Sequence, residues 1–312
     1  MKLAKKRIVG WRLESTKGTA ETLTAADIGE YAFEPTLDPD VDFEDRMPSA
    51  FAGGTLPRLA GMHAGGCRIG FELKGSGVDA TTAPKWADLF EVCALAKTVN
   101  AGDVTYAQSS DLSAQKTATI NFWDGTDRHT LVGAAGTYTI EPAGPGRRIM
   151  IVFELRGTWI APIVQATPTG MTYNATAPHQ FKGVTLNYGG SGFCHLSRLR
   201  FDPGNETQLR PCVNQASGIE HGYVLVGVPT IGMDPEDAGV AADDVYGEML
   251  TATTGAFSLV TGTAGGNRIT LALPRLQRHN PRRGERDGLV THEIEAIGAS
   301  AVGDDAYTIK FD

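Results

Sequence analysis

The chain has 312 residues, 41% of them hydrophobic, with 38 glycines, 16 prolines and a formal net charge of −8. That length accommodates two domains of ordinary size, and the apolar content supports a real core. The acidic total argues against a protein that grips nucleic acid over its whole surface, though not against one that lets nucleic acid pass.

In chain order, Lys2, Lys5, Lys6 and Arg7 precede only Ile8-Val9-Gly10-Trp11, too short for the apolar region of a signal peptide. No run approaches the ~20 apolar residues of a membrane span. Residues 1 to 30 read as an extended arm plus a loop. Tyr31 to Arg46 carries Glu34, Asp38, Asp40, Asp42, Glu44 and Asp45, broken by Pro35 and Pro39, so no helix is expected there. Met47 to Gly66, rich in Gly, Ala and Pro, reads as loop. Cys67 to Lys74 alternates with the period of a half-buried strand. Pro84 then opens the strongest helix signal in the chain. Trp86, Leu89, Phe90 and Cys93 follow at helical spacing and form one core stripe, with Lys85, Asp88 and Glu91 turned away.

Residues 98 to 116 read as polar loop. Thr117 to Trp123 is a strand, Asp124-Gly125 a hairpin turn, and Arg128 to Val132 the return. Gly136 to Ile140 and Arg148 to Leu155 are further strands. The stretch Trp159 to Pro178, with Pro162, Pro168 and Pro178, marks a domain boundary. Beyond it the pattern repeats in order. Phe33-Glu34-Pro35 is answered by Phe201-Asp202-Pro203, and Trp86 to Phe90 by Tyr246 to Leu250. Gly136 to Ile140 is answered by Gly255 to Leu259. A duplicated, diverged domain that lacks the hairpin Thr117 to Val132 accounts for this order. The predicted division is 1–163 and 164–312. The chain closes on an alternating strand, Asp305 to Phe311.

No catalytic constellation stands out. Asp38-x-Asp40-x-Asp42 begins like a calcium loop but has Phe43 and Ser49 where glycine and glutamate are required. Gly189 to Phe193 fails as a nucleophile elbow at its last residue. Gly262 to Asn267 is glycine-rich without the lysine of a phosphate loop. The seven histidines never fall at metal-ligand spacing. The sequence calls for no cofactor, no metal and no catalytic residue. Cys67, Cys93, Cys194 and Cys212 have no C-x-x-C spacing and read as reduced thiols of an intracellular protein, mostly buried. Asn174-Ala175-Thr176 and Asn205-Glu206-Thr207 are glycosylation sequons by pattern only. Two charge clusters remain. One is Asp38, Asp40, Asp42, Glu44 and Asp45; the other is Arg275, Arg278, Arg282, Arg283 and Arg286, in a segment broken by Pro274, Pro281 and Gly284. Both read either as solvated loops or as protruding loops that meet between subunits; a DNA-facing basic patch is a third reading, which the acidic total makes less attractive.

The order of motifs resembles the major tail tube proteins of long-tailed bacteriophages with non-contractile tails. It runs from Leu13-Glu14-Ser15-Thr16-x-Gly18-Thr19 through Pro35-Thr36-Leu37-Asp38 to Phe71-Glu72-Leu73-Lys74-Gly75-Ser76-Gly77. It continues through Asp124-Gly125 and Gly133-Ala134-x-Gly136-Thr137-Tyr138 to Phe153-Glu154-Leu155-x-Gly157-x-Trp159. The resemblance implies a mainly β fold of tandem β-sandwich or small-barrel domains, each flanked by a helix, in rings with a β-lined channel. It implies no catalytic residues. The first domain would carry the N-terminal arm and long loop. The implied partners are further copies of the chain, in stacked rings that are trimeric and imitate hexamers. Tape measure, terminator and tail tip proteins would be others, and DNA would pass through the lumen without sequence-specific binding. The implied place is the virion tail, assembled in the host cytoplasm, with no membrane. A closed ring of hairpins would pair every strand edge, a ring with unlike faces would stack into a filament, and an acidic lumen would repel phosphates. The alternative is a tandem β-sandwich that binds carbohydrate or a receptor on a phage or cell surface. It ranks lower, because aromatics are only 8% of residues and fall mostly at core spacing.

Overall fold

A computed structural model describes residues 7–49, 54–142, 144–192, 194–262 and 265–312. Lys2, Lys5 and Lys6 lie outside the described residues, as do parts of the glycine-rich stretches 189–193 and 262–267. The strands of the first half are β1 (Arg7–Leu13), β2 (Phe33–Arg46), β3 (Leu56–Glu72), β4 (Leu95–Val99), β5 (Val104–Gln108), β6 (Ala118–Asp124), β7 (Asp127–Pro142) and β8 (Ile149–Val164). Those of the second half begin with β9 (Thr185–Tyr188), β10 (Ser191–Gly192), β11 (Leu199–Asp202), β12 (Glu206–Pro211) and β13 (Ile219–Leu225). They end with β14 (Thr230–Met233), β15 (Thr254–Thr261), β16 (Ile269–Arg286), β17 (Leu289–Gly298) and β18 (Thr308–Phe311). Among the described residues α1 (Val245–Thr251) is the one α-helix. No helix of the described residues is long and apolar enough to cross a membrane.

The protein is mainly β and antiparallel. One sheet follows the order β10-β9-β15-β16-β17-β14-β11-β7-β8-β3-β2, with β1 and β6 branching from β7, and β18, β5 and β4 from β16. β12 and β13 form a separate hairpin. The long strands exchange neighbours along their length. β16 pairs with β18 over Ile269 to Ala272 and with β17 from Leu276 onward. β7 pairs with β6 over its first half and meets β11 only at Ile140, opposite Phe201. Strands that change partner in this way turn from one layer into another and wrap a sandwich-like core. Among the described residues the sheet does not close into a barrel.

One apolar core runs through both halves. Phe90 is its centre, with ring centroids 4.8 Å from Tyr138, 5.2 Å from Tyr106, 5.7 Å from Phe153 and 6.4 Å from Phe311. Trp86 packs edge-on against Phe90 and Phe311, each at 5.6 Å. The expected stripe Trp86, Leu89, Phe90 and Cys93 is therefore buried. Its backbone is not the expected α-helix. Lys85–Phe90 is a 3₁₀ helix with bonds from Ala87 N–H to the Pro84 carbonyl and from Glu91 N–H to the Asp88 carbonyl. Another such bond follows at Cys93, and Ala94 turns to a φ of 60°. Ala87, Val92 and Ala94 are buried too, and so is Glu91, expected to turn away. The segment is a plug inside the fold rather than a helix on a sheet, and tight i→i+3 turns suit so confined a path.

Five stretches expected to be loop or arm are strands, the acidic run among them as β2. Val9 and Trp11 bury β1 against β6. Residues 98–116 hold β5, where Val104, Tyr106 and Gln108 point inward at period two. Residues 56–66 extend β3, and Pro274 to Arg286 continue β16. The prolines fit because they fall at irregular points. Pro274 lies at a bulge between Leu273 and Leu276, and Pro281 at one between His279 and Arg282. Pro35 and Pro39 lie on β2, a free end of the sheet.

The boundary expected at 163/164 falls at the end of β8, and no strand lies between Val164 and Thr185. Sheet and core nevertheless continue across it. β18 pairs with β5 from Val104 to Ala107, and Tyr138 donates from its hydroxyl to that of Tyr307 at 3.1 Å. The segments matched in the repeat reading differ as well. α1 buries Val245 and leaves Leu250 81% exposed, unlike the plug at 85–90.

Candidate interaction surfaces

Both charge clusters sit on long hairpins, and six strands of the sheet path separate β2 from β16. The hairpin β2–β3 places Asp38 opposite Gly66, Asp40 opposite Ala64 and Glu44 opposite Leu59, with Asp42 at a bulge. All five acids are exposed. Asp40 accepts from the Arg156 guanidinium at 2.6 Å, and Asp45 lies 2.6 Å from Arg58. Asp38, Asp42 and Glu44 have no basic partner among the described residues. Apolar side chains stand exposed on the same hairpin at Phe43, Met47, Leu56, Leu59 and Met62. Such exposure at a free sheet end marks an interaction surface.

The arginines of β16 behave differently. Arg278 is 1% exposed; its guanidinium donates to both Asp243 oxygens at 2.8 and 2.5 Å and to Glu248 at 2.6 and 2.9 Å. Its flat face lies over the Tyr188 ring at 4.4 Å. Burial works against that charge, and the two carboxylates outweigh it, so the guanidinium stays charged. Arg286 donates to Asp234 at 2.8 Å and Glu236 at 3.0 Å, and those carboxylates raise its pKa. Arg275 meets Asp305 at 2.6 Å, and Arg283 meets Asp237 at 3.6 Å. Arg282 is exposed, with no acidic partner among the described residues.

A shallow, open groove of about 620 Å³ lies along β2, β3 and β8. Cross-strand ion pairs line it, Asp40 with Arg156 and Arg68 with Glu154 at 3.5 Å. Cys67 also lines it, but burial pushes that thiol up to about 12, which leaves it unreactive at neutral pH. All four cysteines are free, and only Cys67 and Cys93 are buried; Cys194 is exposed and Cys212 half-buried. Among the described residues no group of His, Cys, Asp or Glu is arranged to hold a metal ion. Sequence reasoning found the two clusters but missed the clamp at Arg278, because Asp243 and Glu248 lie some thirty residues away and show no motif. Comparison with protein-family models and with curated proteins gives no match.

Proposed function

We propose that the chain is a structural subunit that polymerises as stacked rings into the tail tube of a long-tailed bacteriophage, through which DNA passes. In this reading it has no catalytic role, and its partners are its own copies and other tail proteins. The halves before and after 163/164 would each serve as a tube-like unit, although sheet and core run on between them, so that three chains would imitate a ring of six. The carrying observation is the β2–β3 hairpin, which projects unpaired acids and five exposed apolar side chains from a free end of the sheet. A free edge of this kind pairs with another edge or is protected against doing so. On β2 the two prolines and the row of acids limit which edges can pair, which suits one specific neighbour. Subunit contact would draw on Asp38, Asp42 and Glu44 from one copy and Arg282 from the next, since these lack ion-pair partners among the described residues of their own chain.

Negative-stain electron microscopy of the purified protein tests the reading. Rings or tubes are the expected result. A strictly monomeric protein at high concentration would overturn it.

A further inference from the structure

Away from the hairpins the fold buries a lysine and a glutamate beside a half-buried asparagine. Lys74 follows β3, Glu30 precedes β2, and Asn174 lies in the strandless connection after β8. The Lys74 and Glu30 side chains are 4% and 2% exposed. Lys74 Nζ stands 3.1 Å from Glu30 Oε2, off the line of a hydrogen bond, and donates at 2.8 Å to the main-chain carbonyl of Asn174. Asn174 Nδ2 donates to Glu30 Oε1 at 3.1 Å and to the Gly75 carbonyl at 3.0 Å. Its Oδ1 accepts from the Thr176 N–H at 2.9 Å, and its own N–H donates to the Gly29 carbonyl at 2.9 Å. Every polar atom of Asn174 is thus fixed. Tyr31, whose ring centre is 5.8 Å from Nζ, stacks on Tyr173 at 4.5 Å beside the group. A buried ion pair by itself is a weak source of stability, whereas an amine that meets the main chain of Asn174 and a carboxyl group that meets both the amine and the Asn174 carboxamide bring a reactive set together.

We propose that Lys74 and Asn174 join in an intramolecular isopeptide bond, with Glu30 as the proton shuttle. Proton transfer within the buried pair gives a neutral amine and a neutral carboxylic acid. Burial raises the pKa of Glu30, against the opposing effects of the Asn174 hydrogen bond and the Lys74 charge, and so favours the protonated acid. The Nζ lone pair attacks Cγ of Asn174, and the carbonyl electrons move onto Oδ1, where the Thr176 N–H stabilises the oxyanion. Glu30 gives its proton to Nδ2, to which Oε1 is already hydrogen-bonded, and its carboxylate takes one from Nζ. The Cγ–Nδ2 bond breaks and ammonia leaves. The Nζ–Cγ amide remains, with one proton left on Glu30. No oxidant or cofactor is needed. The bond would tie the end of β3 to the connection between the halves, and it stands independently of the tail tube reading.

Intact-mass measurement of the folded full chain under denaturing, reducing conditions tests this. The expected mass is lighter than the sequence mass by one ammonia, and digestion should yield a branched peptide joining Lys74 to Asn174. Lys74→Arg keeps the cation without the nucleophile and should show the full mass. Glu30→Gln should show the full mass or a many-fold slower loss. A wild-type chain at full mass after prolonged incubation overturns the proposal, whatever the variants do. So does an ammonia loss mapped to another residue. Undiminished bond formation in Glu30→Gln overturns the role given to Glu30.

Discussion

The two charge-bearing hairpins started from similar sequence signals and met opposite fates. On β2–β3 three of five acids have no basic partner among the described residues, and the two ion pairs there are open to water on both sides. On β16–β17 four of five arginines find carboxylates of their own chain, and Arg278 is almost wholly enclosed. The difference lies in what packs alongside. The loop before α1 brings Asp243 over β16, and α1 itself brings Glu248. Among the described residues only Arg58 and Arg156 reach the five acids of β2. A charge run therefore becomes clamp or contact surface according to which segments the fold lays beside it. Exposed pairs are worth only ~0–1 kcal/mol, so the acidic hairpin holds its charges for something other than its own stability.

The core beneath both hairpins sets the scale. Phe90→Ala should cost about 3–5 kcal/mol, as truncations of buried aromatics do, read from the urea midpoint. A loss under about 1 kcal/mol would mean that the plug at 85–90 is not the packing centre its ring contacts describe. Arg278→Met comes next. Removing one partner of a buried ion pair costs about 3–5 kcal/mol, and the lower end applies because Asp243 and Glu248 can turn toward water. If Arg278→Met were neutral, the contrast between clamp and contact surface would fail. Arg286→Ala should cost less, about 1–3 kcal/mol, for hydrogen bonds lost to carboxylates that are themselves partly exposed.

Periodicity made part of the fold legible. The turn at Asp124-Gly125, the strand before it, the first half of β8 and the end of β18 read in place from local signals, alternation and a glycine at positive φ. But β8 runs on to Val164, into the expected boundary, and Arg128–Val132 and Gly136–Ile140 are one strand, β7. The inward row Val104, Tyr106 and Gln108 and the pair Val9 and Trp11 carried the same signal, but polar neighbours hid it. The plug at 85–90 has α-helical spacing but a 3₁₀ backbone, since burial of nearly every side chain is a tertiary fact. Prolines misled for the same reason. Whether Pro274 or Pro281 ends a strand depends on a bulge in its pairing, and pairing is not local. Of the candidate sites, the clusters were visible but their partners were not. Asp243 reaches Arg278 from 35 positions away in the chain, and Asn174 reaches Lys74 from 100. Such meetings are written in the topology alone.

The smallest expected change in stability is the sharpest test of the contrast. Arg282→Glu touches a side chain with no acidic partner among the described residues, so it should alter folding stability by no more than about 0.5 kcal/mol. Arg283→Glu loses only a contact of 3.6 Å at an exposed position, so the double reversal should also fold. If the two hairpins meet between copies, the double reversal should nevertheless impair polymerisation, followed by sedimentation and electron microscopy. Asp42→Lys in the same chain should restore part of it. Because the interacting groups are exposed, both the defect and the rescue should shrink as salt is raised, over the range where the screening length falls from about 10 Å toward 3 Å. Assembly driven instead by apolar burial at Phe43, Leu56 and Leu59 would be indifferent to the reversals and strengthened by salt. Loss of polymerisation in Arg282→Glu without rescue would place the partner of β16 elsewhere than on β2. Nucleic-acid binding that disappears with the arginines, while polymerisation stays intact, would assign the segment to DNA.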